Sequence, residues 1–439
     1  MFQSRLPNKA RYAVFIIVAI LSLTGGLSLH GLSLAAVYFA VLPAFACYAL
    51  LVRPSLVGRL RYYHALYVLL LTALVAAYLM VLAHVVPQLR VRWMEVPLAV
   101  WFLLTMHVVV WLMDRILHAV LSAAFGLAGL GPTAASPKRL QIPKTAIRVL
   151  CLLAVAGPYI LALFAVHWIK FADNSDPMRQ CAMAFEPVRI QTADGVSLDG
   201  WFLPASTAPS DTTVIVVPGR GMPKGCSLNY AQMLCLARCN VLMFDLRGEG
   251  GSAGHSRSFG IREAKDVLGA VQYLEQTHAQ ASRYIYAFGI SQGASAVIRA
   301  AVADERVRAV VVDSTLTIAQ DILPTRVLLG LPLPLRMYLA GMTRIFASAE
   351  LGCNLFRRAD LAAETSKLSP RPLLVIHGSE DLVADPGEAA RLYEAAGQPK
   401  CLDMVPGAGH AEALWLEGST YIIRILQLFA LARNMDSAS

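Results

Sequence analysis

The 439-residue sequence predicts an α/β domain with a mostly parallel central sheet and helices on both faces, preceded by about five transmembrane helices. Three observations favour this architecture. The composition is 56 % hydrophobic and only 15 % charged, which is unlike an ordinary soluble protein. Before residue 170, long apolar runs alternate with basic loops. From residue 186, short β-branched runs alternate with helix-length segments, as they do in a parallel sheet.

The apolar runs of the N-terminal region are long enough to cross a membrane, since a helical span needs about 20 residues. We predict spans at about residues 12–29, 32–52, 65–86, 96–116 and 146–169. No charged residue occurs between Tyr12 and Val52. The first run is not expected to be a removable signal peptide, because it continues into a second span without a convincing small-residue cleavage site.

The charged residues indicate how these spans are oriented. Residues 1–170 hold fourteen Lys and Arg against two acidic residues, whereas residues 171–439 hold twenty-four against twenty-seven. Positively charged loops tend to remain cytoplasmic, and the N-terminus, the second loop and the fourth loop are the basic ones. Five spans then place the C-terminal domain in the periplasm of a bacterial inner-membrane protein, although a miscounted span would invert this. The bilayer accounts for the basic residues, so nucleic acid is not expected as a partner.

The C-terminal half, residues 186–439, is predicted to open with a β-hairpin and to continue as a parallel sheet. Val188–Thr192 and Val196–Leu203 flank the turn Asp194-Gly195. Further strands are predicted at 213–217, 241–244, 284–288, 309–312, 373–376 and 401–405. Residues 171–185 are predicted as a linker. Ligands of an open parallel sheet gather beyond the carboxyl ends of its strands, so residues that follow these strands are expected to converge.

One serine stands at the junction of a predicted strand and a predicted helix, in the segment FGISQGA at residues 288–294. Gly289 and Gly293 flank Ser291, and side chains at these two positions would collide in so tight a turn. The turn exposes the Ser291 hydroxyl and directs the first N–H groups of the helix towards negative charge that develops beside it. A GxSxG pattern alone is weak, but its placement between strand and helix strengthens it.

A serine hydroxyl becomes a nucleophile when a histidine accepts its proton and a carboxylate orients that histidine. Asp381 closes the segment HGSED, which follows the strand at 373–376, and His410 closes the segment GAGH, which follows the last strand. The chain therefore supplies a nucleophile, an acid and a histidine in that order. Glu380 competes with Asp381 for the role of the acid, and His377 is expected to be structural.

These elements, in this order and spacing, resemble the α/β-hydrolase superfamily over about residues 186–432. The resemblance implies that Ser291 is the nucleophile, that His410 is the general base and then acid, and that Asp381 orients the histidine. It also implies an oxyanion site made of backbone N–H groups, one from Gln292 and one from Arg220 in the loop PGRGM that follows residue 217. Many relatives have His-Gly where this loop has Pro-Gly.

Other parts of the domain have two interpretations each. The stretch DLRGEGGS at 245–252 and the residue Asp313 favour structural roles, with Arg247 paired to a carboxylate and Asp313 holding a loop. The Arg220 side chain faces either solvent or an anionic substrate. Residues 314–370 form an insertion where relatives carry a lid. Its apolar centre fits either a lid over an acyl-chain pocket that touches the membrane or ordinary packing over the sheet.

The sequence therefore predicts a membrane-anchored serine hydrolase that cleaves an ester or thioester of a lipid-like acyl substrate through an acyl-enzyme. A serine peptidase and an acyltransferase use the same machinery and remain alternatives. A membrane scaffold with a binding-only hydrolase domain is a further alternative, against which the intact set of Ser291, Asp381 and His410 argues. No CxxC or HExxH spacing occurs, so neither a metal nor another cofactor is expected.

Overall fold

The computed structural model describes residues 157–159, 161–167, 170–317, 331–356 and 360–438. Four of the predicted spans, at about 12–29, 32–52, 65–86 and 96–116, lie outside these residues, and so does most of the fifth, at about 146–169. Residues 161–167 of the fifth are described, and they pack against the C-terminal domain, so this predicted span extends too far. Within the described part of the chain, no helix has both the length and the apolar character that a bilayer crossing requires.

The described domain is built on one eight-stranded sheet with the order β1-β2-β4-β3-β5-β6-β7-β8. The strands are Glu186–Gln191, Ser197–Leu203, Thr212–Val217, Asn240–Phe244, Tyr284–Ile290, Val307–Asp313, Leu373–Gly378 and Lys400–Val405. β1 and β2 form the predicted hairpin, β2 also pairs with β4 in antiparallel fashion, and the remaining neighbours are parallel. The predicted α/β class with a mostly parallel sheet is therefore confirmed.

Helices cover both faces of this sheet. They are α1 Pro177–Cys181, α2 Leu228–Leu236, α3 Glu263–Thr277, α4 Gln292–Ala303, α5 Leu333–Leu351, α6 Leu361–Thr365, α7 Pro386–Ala395, α8 Ala413–Glu417 and α9 Ser419–Ala438. Side chains alternate along a strand, so Ile215 and Val217 of β3 belong to a hydrophobic cluster that includes residues of α3, α4 and α7, whereas Val214 and Val216 belong to one that includes residues of α2, α8 and α9. Every residue of β3, β4 and β5 is buried, as expected for parallel strands covered on both faces.

The stretch at 171–185, which the sequence predicts as a linker, contains α1 and contacts the sheet domain. Asp173 accepts a hydrogen bond from the N–H of Gly225 at 3.0 Å and lies 3.4 Å from Lys224 Nζ. Lys224 is 2 % exposed, and its Nζ also contacts the carboxylates of Asp199 and Asp245 at 2.8 and 3.0 Å. A buried ammonium surrounded by three carboxylates joins this stretch to the loops around it.

The loop at 245–252 is held by the ion pairs of a buried arginine, in agreement with the structural role that the sequence predicts for it. Arg247 places one guanidinium nitrogen 2.8 Å from Asp194 and another 2.7 Å from Asp266. Asp194 belongs to the turn of the opening hairpin, and Asp266 lies in the first turn of α3. Arg247 therefore joins the hairpin to the following helix through charge-assisted hydrogen bonds.

The insertion at 314–370 contains the long helix α5, and its residues 318–330 lie outside the described part of the chain. The buried residues of α5 lie in its C-terminal half: Thr343, Ala347 and Leu351. Its N-terminal half exposes large apolar side chains, with Leu333 at 60 % and Met337 at 68 %. The C-terminal half of α5 thus packs on the domain, as the second interpretation predicts, and the lid over an acyl-chain pocket stays a prediction.

Candidate active site

β5 and α4 meet at Ser291, at the sharp turn that the sequence predicts. Ser291 has φ +55° and ψ −117°, a backbone conformation that L-residues rarely adopt. The N–H of Ser291 donates to the carbonyl of Asp313 at 2.8 Å, which holds the strained turn against the end of β6. Because α4 begins at the next residue, its first N–H groups have no carbonyl partner within the helix, and that of Ala294 donates to the Ser291 carbonyl at 3.1 Å.

The two glycines of the turn are required by close approaches of the backbone. A Cβ at Gly293 would lie 2.3 Å from the carbonyl oxygen of Val217, and a Cβ at Gly289 would lie 2.5 Å from that of Gly293. Both distances are shorter than real Cβ contacts allow. The collision that the sequence predicts for side chains at these positions is therefore confirmed.

Replacing Gly293 with alanine is expected to destabilise the protein by about 3 kcal/mol, because the new methyl group meets rigid backbone of β3. This loss corresponds to a decrease in Tm of roughly 6–12 °C, measured by thermal unfolding of the full-length protein. Gly341→Ala in α5 is the matched control, since a Cβ there meets nothing within 4 Å. The control is expected to keep or raise the Tm. Equal Tm values for Gly293→Ala and the wild type would contradict the prediction.

A continuous chain of hydrogen bonds joins Ser291, His410 and Asp381. His410 Nε2 lies 2.9 Å from Ser291 Oγ, and His410 Nδ1 lies 2.8 Å from Asp381 Oδ2. Because the carboxylate can only accept, we assign the proton to Nδ1, which leaves Nε2 to accept from the serine hydroxyl. The structure thus brings together three residues that are 119 and 29 positions apart in the chain.

The carboxylate of Asp381 is buried, and each of its oxygens is hydrogen-bonded. Oδ1 accepts from the N–H groups of Val383 and Ala384, each at 2.8 Å, while Oδ2 faces His410. Burial by itself raises the pKa of Asp381, but the hydrogen bonds from His377, from His410 and from the N–H of Ala384 outweigh it and hold the pKa below its usual range. The side chain of Glu380 is exposed, so it is Asp381 that the fold places against His410.

His377 contacts the same carboxylate, which the sequence did not predict. It is fully buried at the end of β7, and its Nε2 lies 3.3 Å from both Asp381 Oδ2 and the carbonyl of Ala384. Both neighbours are acceptors, so Nε2 carries a proton. Asp381 therefore lies between two histidines. The sequence shows only that His377 lies four residues before Asp381 in HGSED. Whether its side chain turns towards the carboxylate depends on the fold.

Asp313 supports the loop that carries His410, as the sequence predicts. Its two oxygens accept from the hydroxyls of Ser314 at 2.9 Å and Tyr421 at 2.7 Å. Ser314 Oγ in turn accepts from the N–H of Ala411, the residue that follows His410, at 2.9 Å. Burial raises the pKa of Asp313, with the two hydroxyl hydrogen bonds opposing this rise.

The loop after β3 runs alongside the serine. A Cβ at Gly219 would lie only 3.1 Å from Ser291 Cβ. The guanidinium of Arg220 donates to the carbonyl of Ala165 at 3.2 Å. The side chain is thus directed at upstream backbone, so that neither of its sequence-based interpretations, a solvated arginine or a partner of an anionic substrate, describes these contacts. Over the described residues, no group of three or more His, Cys, Asp and Glu side chains is arranged to hold a metal ion.

Comparison with known proteins supplies a family match for this part of the chain. A family model described as "Alpha/beta hydrolase family" matches residues 214–419, which include the serine, the carboxylate and the histidine. The "Uncharacterized protein Rv2307c" of Mycobacterium tuberculosis H37Rv is 31 % identical over 233 residues, which are 53 % of this chain and 74 % of that protein. The "Uncharacterized protein YfhR" of Escherichia coli K12 is 26 % identical over 289 residues, which are 62 % and 90 %.

Two further similarities concern proteins with descriptive names. The "Polyketide transferase grgF" of a Penicillium species is 24 % identical over 297 residues, covering 56 % of this chain and 96 % of that protein. The structure of the Pyrococcus furiosus esterase Pf2001 is similar with a TM-score of 0.51 at 22 % identity, over 60 % of this chain and 97 % of that chain. At this identity, the similarity to the esterase shows a shared fold.

Proposed function

Since this chain belongs to the alpha/beta hydrolase family, we propose that it is a serine hydrolase that cleaves an ester or thioester of a lipid-like acyl substrate. Family membership alone does not support a particular reaction, because one fold hosts many chemistries. The observation that carries the proposal is the hydrogen-bonded chain of Ser291, His410 and Asp381, with its serine on a strained strand-to-helix turn.

In the first half of the proposed reaction, Ser291 Oγ attacks the carbonyl carbon while His410 Nε2 accepts the hydroxyl proton. The ionised carboxylate of Asp381 stabilises the imidazolium through Nδ1. The negative charge on the carbonyl oxygen is stabilised by the backbone N–H groups of Gln292 and Arg220. The bond to the leaving oxygen or sulfur then breaks, and the imidazolium gives its proton to the departing alcohol or thiol. An acyl group remains on the serine.

Water completes the reaction in the second half. His410 removes a proton from water as the water oxygen attacks the acyl carbon, and it returns that proton to Ser291 as the acid leaves. The exposed fraction of the side chain is 22 % for His410 and 0 % for Asp381. The histidine is therefore open to solvent, whereas the burial of the carboxylate strengthens its interaction with the imidazolium.

Exposed apolar side chains support a lipid-like acyl substrate. Leu382, directly after Asp381, is 62 % exposed, and Trp415, five residues after His410, is 67 % exposed. The N-terminal half of α5 adds Leu333 and Met337. Contiguous apolar surface marks sites for apolar ligands or membranes, so the proposal requires that these side chains act as one surface.

We propose that the hydrolase domain is anchored in a bilayer by the apolar N-terminal region, as an integral protein of the bacterial inner membrane with the domain on the periplasmic side. Support comes from the sequence, in which apolar runs of spanning length alternate with basic loops. The substrate would then be reached from the membrane surface.

Acyl transfer to an acceptor other than water is a second candidate function. It uses the same acyl-enzyme and differs only in the nucleophile of the second half. The similarity to a protein named as a polyketide transferase, which extends over 96 % of that protein, favours keeping it. The two functions are separated by measuring the products with and without added alcohols or thiols. A hydrolase releases mainly free acid in both cases, whereas a transferase forms the new ester or thioester when an acceptor is added.

Covalent labelling of the full-length, membrane-embedded protein with a fluorophosphonate tests the proposal. A nucleophilic serine displaces fluoride and retains the phosphonyl group. Trypsin then releases the peptide Tyr284–Arg299, which contains both Ser291 and Ser295, and fragment masses assign the adduct to one of them. We expect the adduct on Ser291. Absence of an adduct, or an adduct on Ser295, would overturn the assignment. A membrane-impermeant probe on intact cells would report the side of the membrane.

A further inference from the structure

We infer that Arg220 and Glu249 are positioning residues for the oxyanion loop. They hold this loop against residues 161–167, which lie just upstream of the hydrolase domain. The oxyanion loop is Pro218–Met222, which follows β3. The inference rests on the proposed serine hydrolase reaction, in which the backbone N–H of Arg220 stabilises the oxyanion. It adds that the chain before the domain takes part in shaping the active site.

The upstream segment, residues 161–167, is itself firmly held on the domain. Its residues 161–166 are helical. Its buried side chains pack against the insertion helix α5 and the loop before α3: Ala162, Ala165 and Val166, each at most 4 % exposed, lie in one cluster with Phe259, Ala347 and Leu351. His167 continues the contact, with Nε2 2.8 Å from Glu350 Oε1 in α5 and Nδ1 3.0 Å from the carbonyl of His255.

Arg220 connects the oxyanion loop to this segment. Its Nη2 donates to the carbonyl of Ala165 at 3.2 Å and lies 3.5 Å from that of Phe164. The last carbonyls of a helix lack partners within the helix, and the planar guanidinium suits two adjacent acceptors. The side chain of the proposed oxyanion donor is therefore fixed by groups that lie 55 and 56 positions earlier in the chain.

Glu249 holds the same loop one residue further along, at the N–H of Gly221. Its Oε1 accepts from the N–H of Gly221 at 2.9 Å, and the side chain is 2 % exposed. Arg257 Nε lies 2.5 Å from the same oxygen, and the backbone N–H of Arg257 donates to the carbonyl of Val166 at 2.9 Å. The carboxylate is thus connected to the upstream segment as well, through Arg257.

These contacts hold both the side chain of Arg220 and the N–H of the following residue. On the other side, Gly219 lies against Ser291, with a built Cβ only 3.1 Å from Ser291 Cβ. The direction of the Arg220 N–H is therefore set from three sides. Stabilisation of an oxyanion depends on N–H groups that already point at the developing charge. Loosening the loop should thus affect the transition state more than substrate binding.

Arg220→Met, made in the full-length protein, tests the inference. For a short-chain p-nitrophenyl ester, we expect kcat to fall by about 10- to 100-fold with KM essentially unchanged, since the donor is displaced and not removed. The binding of a trifluoromethyl ketone, whose adduct with serine carries an oxyanion, should weaken by the same factor as kcat/KM falls. A merely structural role would not produce this correspondence.

Arg371→Met is the matched control. Arg371 also donates to backbone carbonyls, those of Asp304 and Val307 at 3.1 and 3.2 Å. It precedes β7, however, and so lies at the amino ends of the parallel strands, whereas Ser291 lies at their carboxyl ends. This variant is expected to lower Tm and to leave kcat and the ketone affinity of the folded protein unchanged. Comparable losses of kcat in the two variants at a temperature where both are folded would overturn the inference.

A double-mutant cycle tests the part played by the upstream segment. His167→Ala removes its contacts to Glu350 and His255 and is expected to lower kcat less than Arg220→Met does. Adding His167→Ala to Arg220→Met should lower kcat no further, because both changes act through one contact. Additive losses, or a wild-type kcat in Arg220→Met, would overturn the inference while the proposed function stands. Absence of Ser291-dependent hydrolysis in the wild type would overturn the proposed function and the inference with it.

Discussion

Replacing Ser291 with alanine is expected to lower kcat for ester hydrolysis by about 10⁴-fold or more. The substitution removes the oxygen that attacks the carbonyl, so that His410 Nε2 has no hydroxyl to deprotonate at 2.9 Å. Residual hydrolysis would come from the oxyanion N–H groups acting on water. The stability should change little, because Ser291→Ala adds no atoms to a site that is 4 % exposed. The measurement is kcat of the full-length protein, with Tm as the check on folding.

Ser295→Ala is the matched control for this prediction. Ser295 lies one turn later in α4, is also buried, and donates its hydroxyl to the carbonyl of Leu316 without contact to His410 or Asp381 in the described structure. We expect a small loss of stability and an unchanged kcat. Substantial hydrolysis by Ser291→Ala would show that another group attacks the substrate.

Replacing Asp381 with asparagine is expected to lower kcat by about 10⁴-fold. The N–H groups of Val383 and Ala384 both donate to Oδ1, so the amide oxygen of asparagine should take this position and place the NH₂ group against His410 Nδ1. His410 then has to accept at Nδ1 and carry its proton on Nε2. In that tautomer it cannot accept the proton of Ser291. The same NH₂ group also meets the N–H of His377, which leaves two donors facing each other.

Glu380→Gln provides the control for the acid, because Glu380 is the neighbouring carboxylate and its side chain is exposed. Its kcat should match that of the wild type. The two variants also differ in pH dependence. The pKa of Asp381 is lowered by folding, so its contribution to stability is present above the pKa of the unfolded state and is lost as the pH falls through acid values. In Asp381→Asn, this acid-dependent part of the free energy of unfolding should disappear. A wild-type kcat in Asp381→Asn would contradict the assignment.

Several features of the fold and the site follow from local physics and could be predicted from the sequence. β3 and β5 are runs of apolar and β-branched residues. β3 ends at the loop Pro218–Met222, and β5 ends at the turn that carries Ser291. Gly293 and Gly289 were predicted from the steric demand of a turn that closes within a few residues, and the structure has their missing side chains 2.3 and 2.5 Å from backbone oxygens. The convergence of Ser291 and His410 followed from a general rule, that the carboxyl ends of parallel strands share one edge of the sheet.

The sequence by itself determined the sheet, the strained serine turn and the order of Ser291, Asp381 and His410 along the chain, because these depend on residue spacing and on backbone sterics within short segments. Only the tertiary structure decided the directions of the supporting side chains. His377 contacts Asp381, Glu249 accepts from the loop at Gly221, and Arg220 reaches Ala165. A long side chain can turn towards several neighbours, and the choice among them depends on packing between segments that are far apart in the chain.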